Sequence, residues 1–297
     1  MPKSLMTFAP RFGWNNTAVL ANGVIELVVT LDVGPRIISF SSIDGPNILK
    51  TFPSQLGGTS EPDWKIRGGH RLWLAPESSE TYFPDNHPVD YEQTAPGSLT
   101  LRSPAETSTG VTKTMDITIS ETDPAVRITH RILANRDIGQ PIAAWALTVL
   151  AEDGIARVPQ PGAASHPGNA SDNPGDGYLP NRAFSLWPYT NIRDSRFDWQ
   201  SDTFNITQQS HSLTQAVEPT KIGFLHQLGD VSYEVAQWRF TKTVPYNPVA
   251  VYPDHQTNLE IYTDGEILEI ETLSPMTRLV KGDVITHTEH WSLAPIR

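Results

Sequence analysis

Between positions 68 and 88 the chain gathers more chemistry-bearing side chains than in any other stretch of its length. Gly68-Gly69-His70-Arg71-Leu72-Trp73-Leu74-Ala75-Pro76-Glu77 is followed by Tyr82-Phe83-Pro84-Asp85-Asn86-His87-Pro88. A titratable imidazole, a planar guanidinium, an indole, two carboxylates and an amide fall in one proline-bounded segment. Sugars are held by such sets, an aromatic face stacking on the C–H side of the ring while charged and amide groups bond the hydroxyls. Arg71, Trp73, Glu77, Asp85 and Asn86 are therefore candidate ligand contacts. The competing structural reading pairs Arg71 with Glu77 or Asp85 and uses Trp73 to plug the core.

A second constellation is Glu269 and Glu271. Residues i and i+2 of a strand share a face, so the two carboxylates point the same way, with Leu268 and Ile270 opposite. Mutual repulsion raises the pKa of one of them toward the range of a general acid or base. A solvent-facing strand surface is the plain alternative, and a glycosidase pair is a further one, decided by the carboxyl separation. A third set runs from Lys242 through Tyr252-Pro253-Asp254-His255 to Glu260; Asp254-His255 is equally a turn signal. Arg36, in Asp32-Val33-Gly34-Pro35-Arg36, is a ligand contact or a buried pairing arginine.

Other chemistries find little support. The sequence has no cysteine, which excludes disulfides, thiol nucleophiles and thiolate metal sites. Nine histidines form no helical zinc pattern, so neither a metal nor a cofactor is expected. Loop carboxylates near Asp172 and Asp176 are of the type that holds a calcium ion. No nucleophile elbow, P-loop or dinucleotide fingerprint occurs. With 22 Lys and Arg against 33 Asp and Glu, the chain repels polyanions, and nucleic acid is not an expected partner. No apolar run is long enough to span a membrane, and the segment MPKSLMTFAPRFGW lacks the apolar stretch of a signal peptide. The expectation is a cytoplasmic protein with a small-molecule partner.

The elements that must position these residues are strands. Met115–Ser120, Val126–Ile132, Glu266–Glu271 and Val284–Trp291 alternate apolar and polar residues. Further strand-like runs lie near 17–32, 36–41, 98–103, 142–151, 221–227, 232–241 and 258–263. Asp264-Gly265 between two such runs signals a two-residue hairpin. Twelve of the 25 prolines sit in 52–97 and 154–200, which therefore read as ordered, aromatic-rich loops rather than central strands. The 154–180 stretch reads as an excursion from one sandwich, so residues 1–297 are expected to form a single β-sandwich domain.

Several of these segments resemble, in order, blocks of an uncharacterised bacterial family (the DUF4380 type). They are Asp32-Val33-Gly34-Pro35-Arg36-Ile37-Ile38, Gly69 to Glu77, Pro84-Asp85-Asn86-x-Pro88-Val89, Lys221-Ile222-Gly223, Tyr252-Pro253-Asp254, Glu269 to Pro275, and Gly282-Asp283 with Glu289-His290-Trp291. That family is similar to the galactose-mutarotase-like superfamily, which includes aldose 1-epimerases. The resemblance implies a large antiparallel two-sheet β-sandwich, all-β, with long loops. It also implies that Glu271, in Glu271-Thr272, is the general base at a sugar anomeric centre, and that His70 and Arg71 contact the sugar. Mutarotases carry a second, acidic histidine on a central strand. The corresponding stretch, Ala144-Trp145-Ala146-Leu147-Thr148, has none, so either His70, His87 or His255 takes that part, with His70 the first choice, or classical anomer interconversion is not the reaction.

Two activities follow from this reading. One is an aldose 1-epimerase-like isomerase in which Glu271 and His70 are catalytic, and Arg36, Arg71, Trp73, Glu77, Asp85, Asn86, Lys242, Asp254 and Glu269 bind the sugar. The other is a non-catalytic carbohydrate-binding protein on the same fold, with a glycoside hydrolase or lyase using Glu269 and Glu271 behind it.

Overall fold

The alternation seen in the sequence becomes two antiparallel sheets stacked face to face. The computed structural model describes residues 5–162, 179–208 and 218–296, so Asp172 and Asp176 lie outside the described residues. The front sheet holds β1 (Met6–Phe8), β2 (Thr17–Ala21), β3 (Ile25–Thr30), β4 (Arg36–Ser42), β5 (His70–Ala75), β10 (Ala143–Leu150), β12 (Phe184–Leu186), β15 (Thr220–Phe224), β18 (Leu259–Thr263) and β19 (Leu268–Leu273). The back sheet holds β6 (Asp90–Ala95), β7 (Ser98–Arg102), β8 (Val111–Ile119), β9 (Ala125–Ala134), β11 (Ile155–Pro159), β13 (Phe197–Trp199), β14 (Thr203–Thr207), β16 (Asp230–Val235), β17 (Trp238–Thr243) and β20 (Val284–Pro295). Among the described residues each sheet has ten strands, and the front one runs β1-β2-β3-β4-β5-β10-β19-β18-β15-β12. Among the described residues, no helix is long and apolar enough to cross a membrane.

Inward-facing residues of both sheets, among them Leu27, Phe40, Leu101, Met115, Phe240, Ile261 and Trp291, form the main core. The neighbouring interior strands β5, β10 and β19 are buried along their whole length. A sheet covered on both faces needs a second apolar layer outside. Trp73, Ala75, Ala143, Trp145, Leu147 and Leu273 supply it, with Trp64 and Met276 packed on top.

Three expectations need correction. The 52–97 segment is not all loop, because β5 lies at the centre of the front sheet between β4 and β10. The prolines that flank β5, at 62 and 76, leave the intervening residues free to donate to both neighbours. Likewise β11 is an interior strand of the back sheet, with Pro159 at its end. The 17–32 run is two strands, β2 and β3, paired as a hairpin around Asn22-Gly23, where Gly23 takes φ 87°. Finally, Thr263 pairs with Leu268, so the connection carrying Asp264-Gly265 spans 264–267 rather than two residues. The Asp264 carboxylate accepts from the amides of Glu266 and Ile267 and holds that wider turn.

Candidate functional site

Strand alternation divides the chemistry of β5 and β19 between two faces. Arg71, Trp73, Glu269 and Glu271 stand on the outer face of the front sheet, and His70, Leu72, Ile270 and Thr272 on the inner one. Register then builds rows across the sheet. Arg71 opposes Leu147, Leu147 opposes Glu271, and Glu271 opposes Glu260. In the adjoining row Glu269 opposes Tyr262, which opposes Lys221.

These rows floor a cavity of about 480 Å³. Trp64, Trp73, Trp145, Trp187, Tyr82, Tyr189 and Tyr262 wall it, with Glu77 and Asp264 also facing in. Each buried cation is held between indoles. Lys221 Nζ lies 4.6 and 4.8 Å from the Trp145 and Trp187 ring centroids, and the Arg71 guanidinium 4.9 and 5.4 Å from those of Trp73 and Trp64. Arg71 NH2 reaches Glu269 Oε1 at 3.2 Å. Lys221 Nζ sits between two carboxyl groups, 2.6 Å from Glu260 Oε2 and 2.9 Å from Glu271 Oε2.

One ammonium cannot offset two adjacent carboxylates in so enclosed a place. Burial, aided by the Glu271 charge, pushes the Glu260 carboxyl well above its ordinary range against the pull of Lys221. The Lys221 ammonium is held charged, its pKa raised by Glu271 and Glu260 in spite of burial. Burial also raises the Glu269 carboxyl, against Arg71 and with help from Glu271. Burial pushes the Tyr189 hydroxyl up to about 12, keeping it a proton-bearing donor at neutral pH. Trp145 Nε1 donates to Glu271 Oε2 at 2.7 Å. Both donors to Glu271 therefore land on one oxygen, and among the described residues no hydrogen bond falls on Oε1.

Of the residues picked out in the sequence, Glu271, Glu269, Arg71, Trp73 and Glu77 meet in this cavity. The others lie elsewhere. His70 faces the back sheet, bonded to Thr148 and His130, and does not reach the cavity. Lys242 is also between the sheets, 3.0 Å from Glu289 Oε1. Arg36 is a buried brace that donates to the carbonyls of Ile66 and Gly68 and pairs with Asp85 at 2.7 Å. Asn86 clamps the same loop, donating to the carbonyls of Glu61 and Asp63 and accepting from Arg67. Asp254 and His255 adopt left-handed backbone in a tight turn beside a separate shallow cleft. His87 lines a smaller cavity of about 250 Å³ that has Trp73 in its wall.

Sequence reasoning missed Lys221, Trp64, Trp145, Trp187, Tyr189, Tyr262 and Asp264 as site residues. Lys221 left a signal, a lone cation in a buried strand three residues before the β15 terminus at Phe224. The five aromatic residues among them come from four separate segments, and only the fold assembles them. Among the described residues one group has metal-ligating geometry, His70, His130 and Glu289, and it lies between the sheets rather than in the cavity.

The two stacked antiparallel sheets form a sandwich of the fold seen in galactose mutarotase-like structures. No protein-family model matches the sequence, and no curated protein matches it either. Solved structures do. A galactose mutarotase-like protein from Lactobacillus casei aligns with TM-score 0.56 and 11% identity over 94% of this chain and 100% of its own. A galactose 1-epimerase from Lactobacillus acidophilus aligns with TM-score 0.54 and 11% identity over 98% of both chains. A TPR-domain containing protein from Parabacteroides distasonis aligns with TM-score 0.60 and 13% identity over 95% of this chain. This chain spans 48% of the length of that protein. At such identities the likeness is one of fold.

Proposed function

We propose that the cavity binds a free sugar ring and interconverts its anomers, as an aldose 1-epimerase-like isomerase. The observation that carries this reading is the state of Glu271. Lys221 and Trp145 fix its Oε2, and Oε1 is left for a ligand on the floor of an aromatic-walled cavity. A carboxylate so oriented takes the proton of the anomeric hydroxyl. The C1–O bond of the ring breaks as the carbonyl forms, and the ring oxygen takes up a proton. Rotation about the adjoining C–C bond and reclosure give the other anomer, with no net redox change and no cofactor.

The proton donor is Glu269 rather than His70. It is on the same strand face, it lines the same cavity, and burial favours its protonated form at higher pH than usual. Arg71 and Tyr262 hold hydroxyls, and Trp73 and Trp187 offer faces for stacking. A binding-only role is the second reading, favoured by the lack of any histidine among the described cavity-lining residues.

The test is NMR exchange between α and β anomeric protons across a panel of free aldoses, with saturation transfer reporting contact. Accelerated exchange that falls about 10³-fold or more in Glu271→Gln, with contact retained, is the expected result. Contact without acceleration selects the binding-only role. No contact with any free aldose overturns the simple-sugar reading.

A further inference from the structure

Between the sheets, behind the cavity floor, three side chains from three strands converge: His70 on β5, His130 on β9 and Glu289 on β20. All three side chains are fully buried. Their facing atoms form a triangle. His70 Nε2 and His130 Nε2 are 3.0 Å apart, and Glu289 Oε2 is 3.5 Å from the first and 3.8 Å from the second.

The two long sides are informative. A charge-assisted hydrogen bond from an imidazole to a carboxylate would close to about 2.7–2.9 Å. The carboxylate stands off from both rings instead. Around a zinc-like ion with bonds of about 2.0–2.2 Å, tetrahedral ligand atoms sit about 3.3–3.5 Å from one another. Both sides to Glu289 are longer than such a hydrogen bond, and the 3.5 Å one matches tetrahedral ligand spacing, while the imidazole pair at 3.0 Å would open by a few tenths of an ångström to take an ion.

The surrounding contacts orient two of the three groups as metal ligands require, whereas the buried His130 Nδ1 has no hydrogen-bond partner among the described residues. His70 Nδ1 meets Thr148 Oγ1 at 2.9 Å, and donation there leaves Nε2 with its lone pair facing inward. Trp291 Nε1 donates to Glu289 Oε2 at 3.0 Å, while Lys242 Nζ, 3.0 Å away, and the Thr272 hydroxyl engage Oε1. Oε2 is thus the oxygen turned to the imidazoles, and the lysine is kept to the other side of the carboxylate.

We infer that His70, His130 and Glu289 form a structural site for a divalent transition-metal ion of the zinc class, taken up as the two sheets close. Two imidazoles and one carboxylate are a zinc-binding set. The site joins both sheets, no substrate can reach it, and it is independent of the reaction proposed for the cavity. Lys242 opposes the ion electrostatically and weakens the site.

Protein produced in zinc- or cobalt-supplemented medium and cleared of loose ion should carry about one ion per chain by mass spectrometry. The cobalt form should show visible d–d absorption that the metal-free protein lacks. Lys242→Met, which removes the opposing charge, should bind the ion at least tenfold more tightly. Folded wild type and folded Lys242→Met that are both metal-free would overturn the site, leaving an imidazole pair sharing one proton. So would full retention of the ion by a folded His130→Gln. If His130→Gln does not fold, metal content and the cobalt spectrum of wild type and Lys242→Met decide the matter alone.

Discussion

The two faces of the central front-sheet strands carry similar residue types and use them in opposite ways. On the outer face, Lys221, Glu260 and Glu271 are buried beneath the cavity floor. On the inner face, Lys242, Glu289 and three histidines are sealed between the sheets. One cation serves two carboxyl groups outside, whereas one carboxylate serves a lysine and several imidazoles inside. The protonation states follow from that ratio. Outside, burial and crowding raise Glu260 and Glu269. Inside, Lys242 and the imidazoles overcome burial and hold Glu289 well below its ordinary range, while burial holds His70 down and lowers His287 to about 4. Excess carboxyl outside favours protonated carboxyls beside the cavity, and excess base inside favours neutral imidazoles around one carboxylate.

The sharpest way to break this contrast is a pair of neighbouring substitutions on β19. Glu271→Gln should remove about 10³-fold or more of the anomer exchange and cost only about 1 kcal/mol of stability, since Glu260 remains to pair with Lys221. Thr272→Val, one residue along and facing inward, should leave exchange rates within about twofold. It should cost roughly 1–3 kcal/mol in urea unfolding, because its hydroxyl serves both Glu289 and His287. An equal effect of both on activity would mean that the faces are not separate.

Glu289→Gln comes next, leaving Lys242 without its counter-charge in a fully buried place. A loss of about 3–5 kcal/mol by urea denaturation is expected. The third is pH. The unfolded His287 imidazole takes a proton near pH 6.5, while the native one resists until about 4. Stability should therefore fall as the pH drops through that interval, by roughly 3 kcal/mol from His287 alone. Glu260 and Glu269 have the opposite sign: raised carboxyls favour the native state at low pH and cost it stability as the pH climbs past the ordinary carboxylate range. Urea midpoints measured from pH 7 to pH 4.5 that stay level would show that the inner face does not dominate. The smallest effect is at the rim. Trp187→Ala, at a half-buried position, should cost under about 1 kcal/mol of stability and weaken sugar contact roughly tenfold by NMR titration.

Much of this was legible in the residues. Period-two alternation marks β8, β9, β19 and β20, and the i, i+2 spacing of Glu269 and Glu271 does place them on one face of one cavity. The same rule separates His70 from Arg71, but periodicity gives parity and not polarity. It says that adjacent residues part company without saying which of them meets the ligand. Lys221 and Trp145 were hidden for another reason. Their partner Glu271 is 50 and 126 residues away in the chain, and that distance is closed only by the order β10-β19-β18-β15. Arg36, Asp85 and Asn86 were drawn to the ligand by their chemistry, yet they satisfy backbone and each other in the loop behind it.

Gly68 and Gly69 lead into β5 with φ of 87° and 73°, and a side chain on either would run into the backbone of Lys50 or Ile37. This entry fixes where the alternation of the strand begins. One residue inserted after it would send the Arg71 guanidinium and the Trp73 indole into the space between the sheets, and turn an imidazole out to the solvent side. The spacing between the glycine turn and His70 thus works as a reading frame. Substitutions within it alter one group at a time, whereas a change of length by one exchanges the two chemistries wholesale.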